Sequence, residues 1–238
     1  MSQVATAAAL LSFDIVPDAV DEHDDWHTHE HLPERLSIPG FIRGTRWVAQ
    51  DGSASFVVLY EVESLATLTT GAYVERLNHP TPWTSKMMMH YRGMTRGFCR
   101  VTGSFGLGLG RAAVLIRCKP AERQDQRLRD WLLTEALPRL PSLPGLGSAR
   151  LLEAAATPPS TNEQRLRGAD AAMQWAVLVG GYSVERVSDL VANELSSEAL
   201  RRHGAADYAA GIYVMHYSLT QRDVAAAAEP VAAETAPS

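Results

Sequence analysis

The chain has little cysteine, no surplus of basic residues and no long apolar run. Cys99 and Cys118 are its two cysteines. That is too few for the disulfide framework of a small secreted domain, so a reducing, cytoplasmic setting is expected. Lys and Arg number 22 against 27 Asp and Glu, a formal charge of −5. This balance excludes the basic face that nucleic-acid phosphates require. No stretch approaches the roughly 20 apolar residues that cross a bilayer as a helix, so no membrane partner is expected. The opening from Ala5 to Leu11 has no basic residue before it and runs into Ser12-Phe13-Asp14, which reads as a first strand and not as a signal peptide. What remains is an ordinary globular mixture, 46% hydrophobic and 21% charged over 238 residues. Such a chain can bury one large core or two small ones.

The chain is written twice. Trp26, Glu30, Leu32, Pro33, Ser37, Pro39 and Gly40 recur 105 positions later as Trp131, Glu135, Leu137, Pro138, Ser142, Pro144 and Gly145. Rare residues at shared spacing mark an internal repeat, which governs the fold assignment. Each half reads strand, helix, strand, strand, helix, strand. In the first half the strands are expected over Ala7–Val16, Phe41–Ala49, Ala54–Val62 and Gly97–Thr102, with Phe41, Arg43, Thr45 and Trp47 sharing one face. Its helices are expected over Asp18–His31 and from a cap at Ser64 or Thr67 to Leu77. In the second half the strands fall near Ala112–Cys118, Gly145–Ala154, Met173–Val179 and Gly211–Leu219, and the helices near Ala121–Leu140 and Val184–Arg202.

The glycines from Gly103 to Gly110 are followed by a strand and not by a helix, so they cannot form a phosphate cradle and read as a linker. Thr157 to Gly168 reads as a polar loop, and Asp223 to Ser238 as a disordered tail. The expected organisation is a first unit over 1–103, a Gly-rich linker over 104–110, a second unit over 111–222 and the tail over 223–238. A β-α-β-β-α-β unit is the ferredoxin-like motif, with both helices on one face of an antiparallel sheet. The bare faces of two such units can cover each other. The fold class expected is therefore α+β: two tandem ferredoxin-like repeats closing an intrachain barrel. A small apolar pocket is expected between the sheets, or between a sheet and its first helix.

The run from Trp26 through Glu30-His31-Leu32-Pro33-Glu34-Arg35-Leu36 to Pro39-Gly40-Phe41 resembles the dimeric α+β barrel superfamily. In particular it resembles the EthD-like branch, whose first helix carries a His shortly before Pro and ends in Pro-Gly. The segment from Asn78-His-Pro-Thr-Pro-Trp83 through Met94-Thr-Arg96 resembles stretches of tandem EthD-like proteins of unassigned function. The resemblance covers both halves in topology and the His-bearing motif in the first half alone. It implies the barrel fold and a wide range of chemistry, from cofactor-free monooxygenases, cyclases, lyases and isomerases to haem enzymes such as the chlorite-dismutase-like proteins.

The repeat supplies an internal control for the histidines. Leu128, Trp131, Leu132 and Ala136 form an inward stripe at i, i+3, i+4 and i+8. The same stripe in the first half is His23, Trp26, His27 and His31. Burying imidazoles costs about 1–3 kcal/mol for each unmade hydrogen bond, so the first half is expected to hold a wet or ligand-binding pocket. His31 and His27 are the candidate acid–base residues, with Glu34 one turn on to orient His31. Metal ligation by His27 and His31, extended by His23, is the second reading, although the His-Glu-x-x-His pattern is absent. A polar helix start that merely happens to be rich in His is the third.

Around them, His23, Trp26, Arg43, Arg46, Trp47, Tyr60 and Trp83 are the candidate substrate contacts, the arginines for an oxyanion and the rings for stacking. Glu30 and His29 are expected to be structural and solvent-facing, respectively. Pro33 is expected to kink or end the helix. The function expected is a cofactor-independent enzyme acting by His-mediated proton transfer on a small hydrophobic or aromatic oxygenated compound, of lyase, isomerase or monooxygenase type. No cofactor and no metal is assigned, a metal- or haem-dependent enzyme and a non-catalytic binding protein are the alternatives, and a homodimer of the fused unit is left open.

Overall fold

The structure is a computed structural model that describes residues 5–52, 55–156 and 160–228. Two β-α-β-β-α-β units follow one another. The first contains β1 (Ala7–Ile15), α1 (Val20–Trp26), a π-helical turn (His27–His31), α2 (Leu32–Leu36), β2 (Phe41–Ala49), β3 (Phe56–Val62), α3 (Gly71–Asn78), α4 (Pro82–Met88) and β4 (Tyr91–Gly106). The second contains β5 (Ala112–Pro120), α5 (Asp125–Trp131), a π-helical turn (Leu132–Ala136), α6 (Leu137–Arg139), β6 (Leu146–Ala156), α7 (Asn162–Arg167), β7 (Ala171–Ala172), β8 (Trp175–Gly181), α8 (Val184–Ala192), α9 (Ser197–Arg202), β9 (Ala205–Thr220) and α10 (Gln221–Ala228).

The sheets share edges instead of simply stacking. Strands run in the order β1-β3-β2-β9-β5-β8-β6-β4, and β4 pairs back onto β1. The result is a closed antiparallel barrel of eight strands, with β7 added in parallel to β4. Closure removes the unpaired edges that either sheet would expose alone. Alternation along β1 shows the division of labour. Ala8 and Leu10 point into the barrel beside Leu59, Leu115 and Leu178. Ala7, Ala9 and Phe13 point outward under the helices. Each unit thus has its own helix-on-sheet core, and a third core fills the barrel.

The repeated residues occupy repeated geometry. Gly40 and Gly145 both lie at φ +90°, a backbone region that suits glycine. Pro33 does not stop the first helix. The turn before it widens, with the Leu32 N–H bonded to the His27 carbonyl, and the helix continues to Leu36. Pro138 is preceded by the same device, Leu137 N–H to the Leu132 carbonyl. A wider turn accommodates a ring that lacks an N–H and would crowd the carbonyl four residues back. Since the second unit has the turn without the imidazoles, the turn belongs to the architecture.

Several expectations need correction. The glycine-rich linker is strand as far as Gly106, where β4 pairs with β6 at Gly103–Leu151 and Gly106–Ser148. Of the supposed tail, residues 223–228 belong to α10, and Val224 packs on the first core; residues 229–238 lie outside the described residues. The polar loop contains α7, opened by Thr161, whose hydroxyl accepts from the Gln164 N–H; its residues 157–159, like Ala54 at the expected start of β3, lie outside the described residues. The second helix of the first unit comes in two pieces, a 3-10 turn over Leu65–Thr69 that starts behind Ser64 and α3 capped by Thr70, and a further helix, α4, follows behind Thr81-Pro82. A bulge in β2 between Phe41 and Arg43 changes the alternation. Phe41 therefore lies under the helices while Trp47 lies in the barrel core.

Candidate functional site

The first helix packs on the sheet through Trp26, Leu32 and Leu36, with Leu32 against β2 and the His23 and His27 rings against Phe13, Phe56 and Tyr60 of β1 and β3. Its approach is close: a Cβ on Gly44 would sit 2.3 Å from Leu32 Cδ2. Along this seam His23, Trp26, His27 and His31 face inward, at 0–7% exposure. The rings form a row, with centroids 5.5 Å apart for His23–His27 and again for His27–His31. In the second unit the matching Leu128, Leu132 and Ala136 are also buried. The imidazoles thus occupy positions where the sister unit places hydrocarbon.

The row ends at a cavity of about 30 Å³ between helix and sheet. His27, His31 and Arg35 enter it from the first helix, Leu11, Phe13, Val58 and Tyr60 from β1 and β3, and Tyr91, Met94 and Arg96 from β4. Tyr73, Leu77 and Met88 close one side, and Glu163 and Arg167 come from α7 of the second unit. The space suits a water or two, well short of the roughly 300–1,000 Å³ of a typical ligand pocket. Admission of an organic molecule therefore requires the walls of the cavity to move.

The α7 segment is fastened at several points. Glu163 forms a buried ion pair with Arg35, whose other partner is Glu34 at 3.2 Å. Arg167 makes a two-pronged contact with Asp170, at 2.9 and 2.7 Å. Arg96, also buried, lies 3.3 Å from the same carboxylate. The backbone N–H of Asn162 donates to the Asn78 side chain at 3.2 Å. Burial works against the charge of Arg35, but Glu163, with Tyr73 and Glu34, more than offsets it, so the guanidinium is held charged.

Burial pushes His27 and His31 well below the usual imidazole range, and neighbouring positive groups add to this. His23 is lowered too, chiefly by burial, with Asp24 opposing. All three are neutral near pH 7. Tyr60 OH lies 3.4 Å from His27 Nε2, and Tyr91 OH lies 3.2 Å from His23 Nε2. Nδ1 of His27 and of His31 is buried with no hydrogen-bond partner. A neutral ring next to a small polar cavity can take a proton from a guest, and the tyrosine hydroxyls and Arg35 can hold the negative charge left behind.

The structure separates the sequence-based candidates. His31, His27 and Tyr60 meet at the cavity. Glu34 does not orient His31; its carboxylate is taken by Arg35 and, at 3.7 Å, Arg76. Trp26 serves as a brace, donating to Glu30 at 3.1 Å and Thr84 at 3.2 Å. Glu30 also accepts from Thr81 and Thr84, tying the first helix to α4. Arg46 pins the helix from β2, donating to the Asp24 carbonyl and the Thr28 hydroxyl. Trp83 donates to Glu22, Trp47 fills the barrel, and Arg43 lies on β2 away from the cavity. His23 sits one step behind the cavity, and His29 is exposed.

Arg35, Tyr91, Arg96, Glu163 and Arg167 were missed as site residues. Arg35 extends the His27–His31 spacing by another four residues, so its place was readable. Thr161 followed by Gln164 is a capping-box pattern that marks α7, and Glu163 and Arg167 sit i, i+4 behind it.

The chain has the fold of an α+β barrel built from two ferredoxin-like units. No protein-family model and no curated protein matches it. Solved structures do. They include an anthrone oxidase-like protein (TM-score 0.66, 11% identity, 93% of this chain and 96% of that one). A candidate monooxygenase from Fusobacterium nucleatum matches with TM-score 0.63 and 6% identity over 91% and 95% of the two chains. Chlorite dismutase from Candidatus Nitrospira defluvii matches with TM-score 0.54 and 14% identity over 92% and 94%. These neighbours share the fold.

The family resemblance in the sequence includes haem enzymes, so the donor set bears on a haem or metal. The cavity beside His27 and His31, about 30 Å³, admits neither a haem nor another organic guest without movement of its walls, so the donor atoms decide. A larger cavity, about 350 Å³, lies across Arg96, but its lining includes neither His nor Cys. Nε2 of His23 and of His27 already faces a tyrosine hydroxyl, and no group of three His, Cys, Asp or Glu suited to a metal occurs among the described residues. The residues present do not fit a haem or a metal centre in this arrangement.

Proposed function

We propose that the chain is a cofactor-independent enzyme in which His31 moves a proton on a small aromatic or carbonyl compound. The observation that carries this reading is the placement of two neutral imidazoles, His27 and His31, at a narrow cavity where the other unit has Leu132 and Ala136. His31 takes a proton from the acidic C–H or O–H of the guest, and Arg35 and Tyr60 stabilise the resulting enolate or phenolate oxygen. His27, backed by Tyr60, keeps the neighbouring position neutral and limits competing charge. The names of the structural neighbours make oxygenated aromatic compounds the first class to test. Lyase, isomerase and monooxygenase outcomes share this opening step, and the EthD-like resemblance is compatible with each.

The test uses a panel of small phenols and aromatic ketones. Binding is read by thermal shift, and exchange of the acidic proton in D2O by NMR. The wild type is expected to accelerate exchange of at least one compound, with His31→Leu losing about 100-fold or more. Binding and exchange that do not depend on His31 would refute the assignment.

A further inference from the structure

The cavity is narrow and its histidines are largely buried, which raises the question of how a proton taken up there reaches solvent. Tyr91 lines the cavity, and its hydroxyl lies 3.2 Å from His23 Nε2. His23 Nδ1 lies 3.4 Å from Asp24 Oδ1. Asp24 Oδ2 lies 3.6 Å from Nδ1 of His216 on β9, whose side chain is 44% exposed. Four titratable groups thus form one row from the interior to the surface. His23 is fully buried, and its Nδ1 and the facing Asp24 Oδ1 are both buried with no hydrogen-bond partner. Two such atoms facing each other are costly unless they exchange or share a proton.

We propose that Tyr91, His23, Asp24 and His216 form a proton relay between the histidine cavity and bulk water. Its catalytic purpose rests on the function proposed above, whereas its existence as a proton path does not. The carboxylate of Asp24 favours the His23 tautomer with the proton on Nδ1, which leaves Nε2 free to accept from the Tyr91 hydroxyl. A proton leaving the cavity binds Tyr91 oxygen as the hydroxyl proton moves to His23 Nε2. The Nδ1 proton then moves to Asp24, and from Asp24 to His216 and water. No bond other than O–H and N–H is made or broken. Each passage leaves His23 in its other tautomer, and a proton moving back resets it, which matches a base that removes a proton and later returns one.

The surroundings fit this role. Arg46 on β2 lies 3.5 Å from Asp24 Oδ1 and favours its charged form. Burial raises the Asp24 carboxyl, but His23, Arg46 and His216 outweigh it and hold it below the usual range. Burial raises the Tyr91 hydroxyl well above its usual value, so Tyr91 passes a proton on without resting as an anion. The gaps at Asp24, 3.4 and 3.6 Å, exceed ordinary hydrogen bonds by about 0.5–0.7 Å, a distance that small side-chain motion closes.

The test follows exchange of the His23 ring N–H with water in the full chain labelled with 15N-histidine, at pH 7. His216→Ala is expected to slow exchange about tenfold or more, and added imidazole to restore it. Asp24→Asn is expected to slow it without such rescue. His31→Leu is expected to leave it unchanged, so loss of the proposed chemistry and loss of the relay are read separately. Backbone amide protection over residues 20–36 serves as the structural control. The relay is overturned if His216→Ala leaves exchange unchanged, if imidazole fails to restore it, or if the slowing is matched by altered amide protection.

Discussion

Lowering the pH from 7 to 5 should destabilise this protein through His27 and His31. In the unfolded chain each titrates near 6.5, and in the folded chain burial holds both well below that value. The unfolded state therefore binds protons that the folded state refuses. Stability is present above pH 6.5 and is lost as the pH falls through it. For a group that stays neutral in the fold, the loss between pH 7 and 5 is roughly 2 kcal/mol, or about 4 kcal/mol for the pair. That is a large part of the 5–15 kcal/mol typical of a domain. His23, also lowered by burial, adds to the same window, and the raised carboxyl of Glu34 opposes it toward the acid end. The measurement is urea unfolding at both pH values for the wild type, His27→Leu and His31→Leu. Leucine is the residue that the second unit places opposite His27, and it cannot titrate. Each substitution should remove its share of the pH-dependent loss, at most roughly 2 kcal/mol. If both variants lose as much stability as the wild type on acidification, the rings are not buried and neutral, and the proposed base has no basis.

Glu163→Gln should cost about 3–5 kcal/mol by leaving Arg35 without its main partner, and Arg35→Met combined with it should recover much of that loss in a double-mutant cycle. Gly44→Ala should lower stability by about 1–3 kcal/mol, because its Cβ would meet Leu32 at 2.3 Å, and the thermal midpoint should fall accordingly. Burial pushes the Cys99 and Cys118 thiols up to about 12, so neither should react with a disulfide reagent at pH 8 until urea unfolds the chain.

Much of the barrel was legible because the repeat states its pattern twice. Pro39-Gly40 and Pro144-Gly145 share a positive-φ turn, and the inward stripe from His23 to His31 has its match from Leu128 to Ala136. Short elements were less legible. The α7 helix has six residues, too few to show an apolar period, and only its cap pattern announces it. The β2 bulge is invisible in an alternating sequence, so Trp47 was assigned to the same face as Phe41.

Two kinds of information shaped the site. Local order determined the imidazole row, because residues four apart on a helix point the same way whatever lies beneath them. Tertiary structure determined what the row meets, because Tyr60, Tyr91, Glu163 and Arg167 come from distant parts of the chain. It also decided that Trp26, Arg46 and Trp83 brace the first helix, since their polar atoms find partners on other elements before they reach the cavity. Chain closure into one barrel brings the second unit's α7 over the first unit's histidines, and no spacing within either unit encodes that contact.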